Sequence, residues 1–167
     1  MTAATAMLLS APAGALDITP SGDGAVLGNA AVGGGGILIT AVTYTGDAEA
    51  SGTFTAGPLG IEDGALLTSG SATNALPPND AGGITTSWGS PGDPLCVEIA
   101  GGGNMQDAAR LEITFVLQQG FDGIGFDYIV GSDEYPEYVG SEFNDAAGVF
   151  IDGVNYALDL DGNPITI

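Results

Sequence analysis

The chain has no histidine and no lysine, one cysteine (Cys96) and one basic residue (Arg110) in 167 residues. Each absence removes a class of chemistry. Without histidine, Ser-His-Asp and Cys-His catalytic arrangements cannot be assembled, nor can histidine-containing zinc sites. Without lysine there is neither a Schiff base nor a P-loop lysine for phosphates. A lone cysteine excludes an intrachain disulfide and a four-cysteine zinc site, and its expected place is a small apolar position in the core. With 21 acids against one base the net charge is −20. Nucleic acids and anionic membranes are therefore disfavoured as partners, because both need clustered Lys or Arg. No run approaches the roughly 18 apolar residues of a transmembrane helix, so no direct membrane insertion by this chain is expected. Charged residues make up only 13% of the chain, so the acidity comes from missing bases rather than from an excess of acids. Carboxylates are left as the catalytic or metal-binding groups, and any site is built from oxygen.

What the chain does contain is glycine, 29 residues of it, more than twice the usual share of about 7%. Hydrophobic residues at 44% exclude an intrinsically disordered chain. The length suits one domain able to bury a core. Together these point to an all-β extracellular module. The first fifteen residues, MTAATAMLLSAPAGA, have a short apolar run and a small-x-small pattern at Ala13, Gly14 and Ala15. They read as a signal-peptide-like leader over 1–15 that lacks a basic n-region, and export to the cell surface or beyond is the expected fate. A short Ala-rich helix is the alternative for this stretch.

Residues 16–36, rich in glycine and ending in four consecutive glycines, read as a linker or an edge segment. A β-branched run over 37–44 predicts a strand, and residues 50–55 offer its return after a turn at Gly46 and Asp47. Residues 64–70 predict another short strand. Turn formers dominate 71–94, and a loop of that length is usually functional or mobile. In the second half, Leu111, Ile113, Phe115 and Leu117 alternate with more polar positions, and Ile124, Phe126, Tyr128 and Val130 repeat the pattern. Residues 147–151 and 154–158 flank Asp152 and Gly153, a pair suited to a type I′ hairpin. Residues 164–167 read as a further strand. No helix of ordinary length is expected beyond the leader. The fold class is all-β, most simply a two-sheet antiparallel β-sandwich of the jelly-roll or lectin-like kind over 37–167.

The most informative segment is SDEYPEYVGSEFND, residues 132–145. Asp133, Glu134, Glu137, Glu142 and Asp145 place five carboxylates in fourteen residues. Crowded carboxylates repel unless a cation or water relieves them. Asn144 and backbone carbonyls would complete an oxygen shell of the kind Ca²⁺ takes. The plain alternative is a solvated acidic loop. Tyr135, Tyr138 and Phe143 favour packing, and Pro136 and Gly140 fold the segment back between two strands.

This mixture resembles the signature of the choice-of-anchor L domain, a module of bacterial secreted and surface proteins. The resemblance falls on residues 132–137 and on Phe143, Asn144 and Asp145. Weaker pieces match in order. They are Thr43 to Gly46 with Gly52, Thr53 and Phe54, then GALLTSG over 64–70, then Asn79, Gly92, Asp93 and Leu95, with Pro94 where an acid is common. Asp107, Ala108, Ala109, Leu111 and Glu112 follow, and Phe150 to Gly153 close the pattern. The resemblance covers about residues 37–158. It implies an exported, cell-surface module attached by one of several alternative anchors, with no established enzymatic activity, and a domain that continues past Ile167.

Three functions follow as expectations. The first is a non-enzymatic, calcium-stabilised adhesion or display module, with Asp133, Glu134, Glu137, Glu142, Asn144 and Asp145 as metal ligands and an affinity of roughly 10⁻⁴–10⁻³ M. Asp93 and Asp107 are possible additions from other loops. Tyr135, Tyr138 and Trp88 would offer a contact surface for an extracellular carbohydrate or a surface protein. The second is a carboxylate-based hydrolase such as a glycosidase, using Glu134 and Glu142. The third is a purely structural domain of a larger surface protein. The stretch Asp159 to Asn163 resembles the start of a calcium loop but lacks the downstream glutamate, so it reads as a hairpin turn.

Overall fold

The computed structural model describes residues 15–78, 84, 86–133 and 145–166. The expected strand over 37–44 is present as β2 (Ile37–Thr45), one residue longer. We label the elements in chain order: β1 (Asp17–Pro20), α1 (Gly24–Ala31), β2, β3 (Ser51–Thr55), β4 (Asp63–Leu67), α2 (Pro94–Ile99), β5 (Arg110–Leu117), β6 (Ala146–Ala147), β7 (Phe150–Ile151), β8 (Val154–Asn155) and β9 (Ile165–Thr166). A short 3₁₀ turn covers Ala72–Ala75.

The longest ladder is β2 with β5, antiparallel from Ile37 opposite Leu117 to Thr45 opposite Arg110. On β5 the expected period of two holds, with Leu111, Ile113 and Phe115 half-buried and Glu112, Thr114 and Val116 exposed. The register shifts between Ile39 and Ala41. Thr40 is the extra residue of that bulge, and its Oγ1 donates to the Thr114 carbonyl at 3.1 Å.

The expected hairpin between 37–44 and 50–55 does not form. Residues 51–55 are indeed a strand, but β3 pairs with β1 on one side and β4 on the other. A strand has two edges, and both of β3's are taken, so β2 finds its partner in β5 instead. Gly52 sits where β1 comes close, since a Cβ there would lie 2.6 Å from the Thr19 carbonyl oxygen.

Two short helices correct the expectation of none. In the glycine-rich segment, Asp23 caps α1, its carboxylate accepting from the Ala25 and Val26 amides at 2.8 and 3.4 Å. The helix packs on β2, β3, β4 and β5, so it bridges the two main sheets. Leu27, on this helix, has no exposed surface. Gly28 lets the helix lie flat on β2, because a Cβ there would meet Val42 Cγ2 at 2.7 Å. The cap is a testable part of this arrangement. Asp23→Ala is expected to lower stability by about 1 kcal/mol, read as a lower urea midpoint with an unchanged slope. The second helix, α2, begins at Pro94, whose missing N–H costs nothing in the first turn.

The chain's last part forms two small antiparallel pairs, β6 with β9 and β7 with β8. The expected turn between β7 and β8 is present, with φ of 50° at Asp152 and 82° at Gly153. The expected strand over 124–130 is not formed, because no described strand offers it a ladder. Phe126 and Tyr128 still lie on one side with ring centroids 5.8 Å apart. The Tyr128 hydroxyl donates to the Leu158 carbonyl at 3.1 Å. Ile124, Phe126, Tyr128 and Val130 are all exposed.

The buried apolar core among the described residues is Ile18, Leu27, Ala50, Ala72 and Ala157. The described residues are strand-rich and form one three-stranded and three two-stranded antiparallel sheets. These pairings establish the all-β character and stop short of a two-sheet sandwich. No described helix is long and apolar enough to cross a membrane.

Candidate functional site

Two places carry the residues singled out in the sequence. The first is the base of the acidic segment. Ser132 Oγ donates to Asp145 Oδ2 at 2.7 Å, joining positions thirteen residues apart. Directly after Asp145, β6 pairs with β9 and fastens the returning chain. Asp133 and Asp145, two of the six expected ligands, therefore stand beside or in this clasp, and both are half-buried. Glu134, Glu137, Glu142 and Asn144 lie outside the described residues, as do Tyr135, Tyr138, Phe143 and Asn79. Among the described residues no three His, Cys, Asp or Glu side chains are grouped to share an ion.

The second place is a groove of about 480 Å³ between the end of β2, the loop before α2 and the start of β5. Its walls include Thr45, Asp47, Trp88, Ser90, Asp93 and Arg110. The floor is shaped by close contacts. Gly46, with φ of 148°, has no room for a Cβ, which would lie 2.6 Å from the Tyr44 hydroxyl and 3.0 Å from the Ala108 carbonyl oxygen. That hydroxyl donates to the Asp47 carbonyl at 2.6 Å.

Asp107 organises one wall. It is buried, at 7% exposure, and all of its contacts go to one loop. Its Oδ1 accepts from the Ser90 amide at 2.7 Å and the Ser90 hydroxyl at 3.1 Å. Its Oδ2 accepts from the Trp88 amide at 3.1 Å and the Ser87 hydroxyl at 3.2 Å. Burial alone would raise this carboxyl, but the four hydrogen bonds outweigh it and hold the group below the ordinary carboxylate value. On the far side, the Trp88 indole N–H donates to the Gly70 carbonyl at 3.2 Å, which fixes the ring against the end of β4.

Asp93 and Arg110 build the other wall. One Asp93 oxygen caps α2 through the Leu95 amide at 2.8 Å. The other accepts from Arg110 at 3.2 Å, while Arg110 also reaches Glu112 at 2.6 Å. Both carboxylates, through hydrogen bonding first, strengthen the guanidinium's hold on its proton. The chain's only base is thus engaged here, with Asp93 and Glu112. Asp93 and Asp107 likewise spend their oxygens on protein donors.

Cys96, on α2, is half-buried. Burial, and then the charge of Asp93, push its thiol up, which disfavours the nucleophilic thiolate. The stretch 159–163 forms the expected turn. Asp159 accepts from the Asn163 amide at 2.8 Å and the Asp161 amide at 2.9 Å, and these bonds hold its carboxyl below the ordinary value.

Trp88, Asp93 and Asp107 were each visible in the sequence, but their assembly was not. Asp107 gathers donors from residues 87–90, a separation that follows no helical or strand period. The hint available was Ser87-Trp88-Gly89-Ser90, an aromatic residue framed by turn formers.

The fold and these two places define a strand-rich domain with a Ser132–Asp145 clasp and an ordered, mixed-charge groove. The chain belongs to the choice-of-anchor L domain family, whose model matches residues 24–164. That range begins at the first residue of α1 and covers nearly the whole chain. Family membership marks it as a surface-associated module. Neither a curated protein nor a solved structure matches it.

Proposed function

We propose that this domain is an exported, non-enzymatic β-sandwich module of the cell surface, stabilised by calcium, that serves adhesion or display. Family membership supports the surface setting. The calcium part is supported by one observation above the others. The Ser132–Asp145 hydrogen bond closes the base of a segment carrying five carboxylates, while the chain's only base is engaged with Asp93 and Glu112. Carboxylates this close in sequence gain from a cation that neutralises them, and an all-oxygen donor set suits Ca²⁺. The ligands would be Asp133, Glu134, Glu137, Glu142, Asn144 and Asp145.

Thermal unfolding of the full chain in EGTA and across a calcium titration tests this. With a dissociation constant of roughly 10⁻⁴–10⁻³ M, calcium at about 10 mM adds roughly 1.4–2.7 kcal/mol by ligand linkage. That corresponds to a midpoint rise of about 3–10 °C for a domain of this size. Glu134→Gln should reduce the rise. An equal rise with NaCl at matched ionic strength would mean charge screening alone and would remove the calcium site, and an equal rise with Mg²⁺ would remove its selectivity for calcium.

A further inference from the structure

The groove between Thr45 and Arg110 has a composition that restricts what it can hold. We propose that it binds a neutral carbohydrate, with Trp88 as the stacking platform and Asp47, Ser90, Asp93 and Arg110 as hydroxyl partners. The proposal takes its surface setting from the reading above and does not depend on the calcium site.

The groove's ligand is narrowed by charge. An anion would meet an Arg110 whose charge is already shared with Asp93 and Glu112, at 3.2 and 2.6 Å, in a chain of net charge −20. A metal ion finds no group of three carboxylates here among the described residues. A purely apolar ligand would strip water from Asp47, Ser90 and Arg110 without replacing their hydrogen bonds. A neutral polyol avoids all three penalties. Its hydroxyls can both donate to carboxylates and accept from a guanidinium, and its C–H face suits the electron-rich face of an indole. The volume, about 480 Å³, falls within the usual range for small-ligand sites, roughly 300–1,000 Å³.

The second argument is rigidity. Asp107 is a buried carboxylate whose four hydrogen bonds all go to residues 87–90, and Ser87 and Gly89 of that stretch are exposed. Burying a charge is costly, and here the result is a fixed surface loop rather than a larger core. The loop carries the chain's only tryptophan, which is tied down at both its amide and its indole N–H. Fixing an aromatic side chain before binding lowers the entropy lost on binding, which is what a recognition platform requires.

Because Trp88 is the only tryptophan, its emission reports the groove directly. The full chain is titrated with cellohexaose, maltohexaose, xylohexaose and chitohexaose, with an oligogalacturonate as the anionic control. The expected result is a saturable change in emission with at least one neutral sugar and none with the control. Calorimetry on Trp88→Ala should then show binding weakened at least tenfold, with Trp88→Phe falling between. Thr45→Trp, at an exposed lip of the groove, should also weaken binding while the unfolding midpoint stays near that of the parent. No saturable response to any neutral sugar by folded protein overturns the proposal, as does binding that survives both Trp88→Ala and Thr45→Trp. Running the titrations in calcium and in EGTA separates the two readings. Sugar binding that persists in EGTA, with no calcium-selective midpoint shift, keeps the groove and removes the calcium site. A calcium-selective shift without sugar binding does the reverse.

Discussion

Asp107→Ala is expected to destabilise the domain by about 2–4 kcal/mol, because two main-chain amides and two hydroxyls lose a charged acceptor. For a chain of this length that lowers the thermal midpoint by roughly 4–16 °C. The emission of Trp88 should shift to the red as its loop loosens. Asp107→Asn is the sharper variant. Asparagine tolerates the left-handed backbone found at this position, φ of 56°, so the substitution leaves the turn intact. It keeps one acceptor oxygen but turns an NH₂ toward a pair of donors, and it removes the charge. Its cost should be large at neutral pH and should shrink in acid. The folded-state carboxyl lies below its ordinary value of about 3.9. Its contribution is therefore fully present above that value and is lost as pH falls through the lowered one. The difference in stability between the parent and Asp107→Asn is the quantity to follow, since the other carboxylates, Asp159 among them, titrate in both proteins. A difference that stays constant from pH 7 to pH 2 would mean that Asp107 contributes shape and not charge.

The same residue shows where a sequence stops being readable. Strands whose own side chains alternate were legible. On β5 the pattern of Leu111, Ile113 and Phe115 against Glu112, Thr114 and Val116 is local, and the structure repeats it. The turn at Asp152 and Gly153 was legible for the same reason, since two adjacent residues suffice to select positive φ. Partner choice was not. Residues 51–55 announce a strand, but whether it joins β2 or lies between β1 and β4 depends on which edges are free, and that is decided by segments far along the chain. The run Ile124 to Val130 fails for the converse reason. Its alternation is good, yet a pattern cannot supply the neighbouring strand that would complete its hydrogen bonds. At the groove the difficulty is greater, because Trp88 and Asp93 come from one segment and Asp107 and Arg110 from another, joined by side-chain hydrogen bonds. Carboxylate crowding in 132–145 is visible in sequence, and the Ser132–Asp145 clasp at its base is what the structure adds.

Helix α1 was hidden for a different reason, and its removal from the core should be the most costly apolar substitution. Its sequence, GAVLGNAA, has no stripe of large side chains at helical spacing; its buried positions are the adjacent Leu27 and Gly28. Leucine supplies the volume and glycine the close approach, so one large side chain does what a stripe does elsewhere. Among the described residues Leu27 is the largest side chain that is fully buried. Leu27→Ala should therefore cost about 2–5 kcal/mol, combining lost transfer energy with the cavity left behind. Leu27→Met, nearly equal in volume, should cost less than about 1.5 kcal/mol. Because α1 touches β2, β3, β4 and β5 together, its loosening should lower the unfolding midpoint of both main sheets at once. The Trp88 loop is pinned by Asp107 and Gly70 and has no hydrogen bond to α1. Hydrogen exchange on Leu27→Ala should thus show faster exchange across both sheets, while Trp88 emission in the folded protein stays unchanged. If one sheet alone loses protection, the two sheets unfold independently and α1 is an attachment to one of them rather than the joint between them.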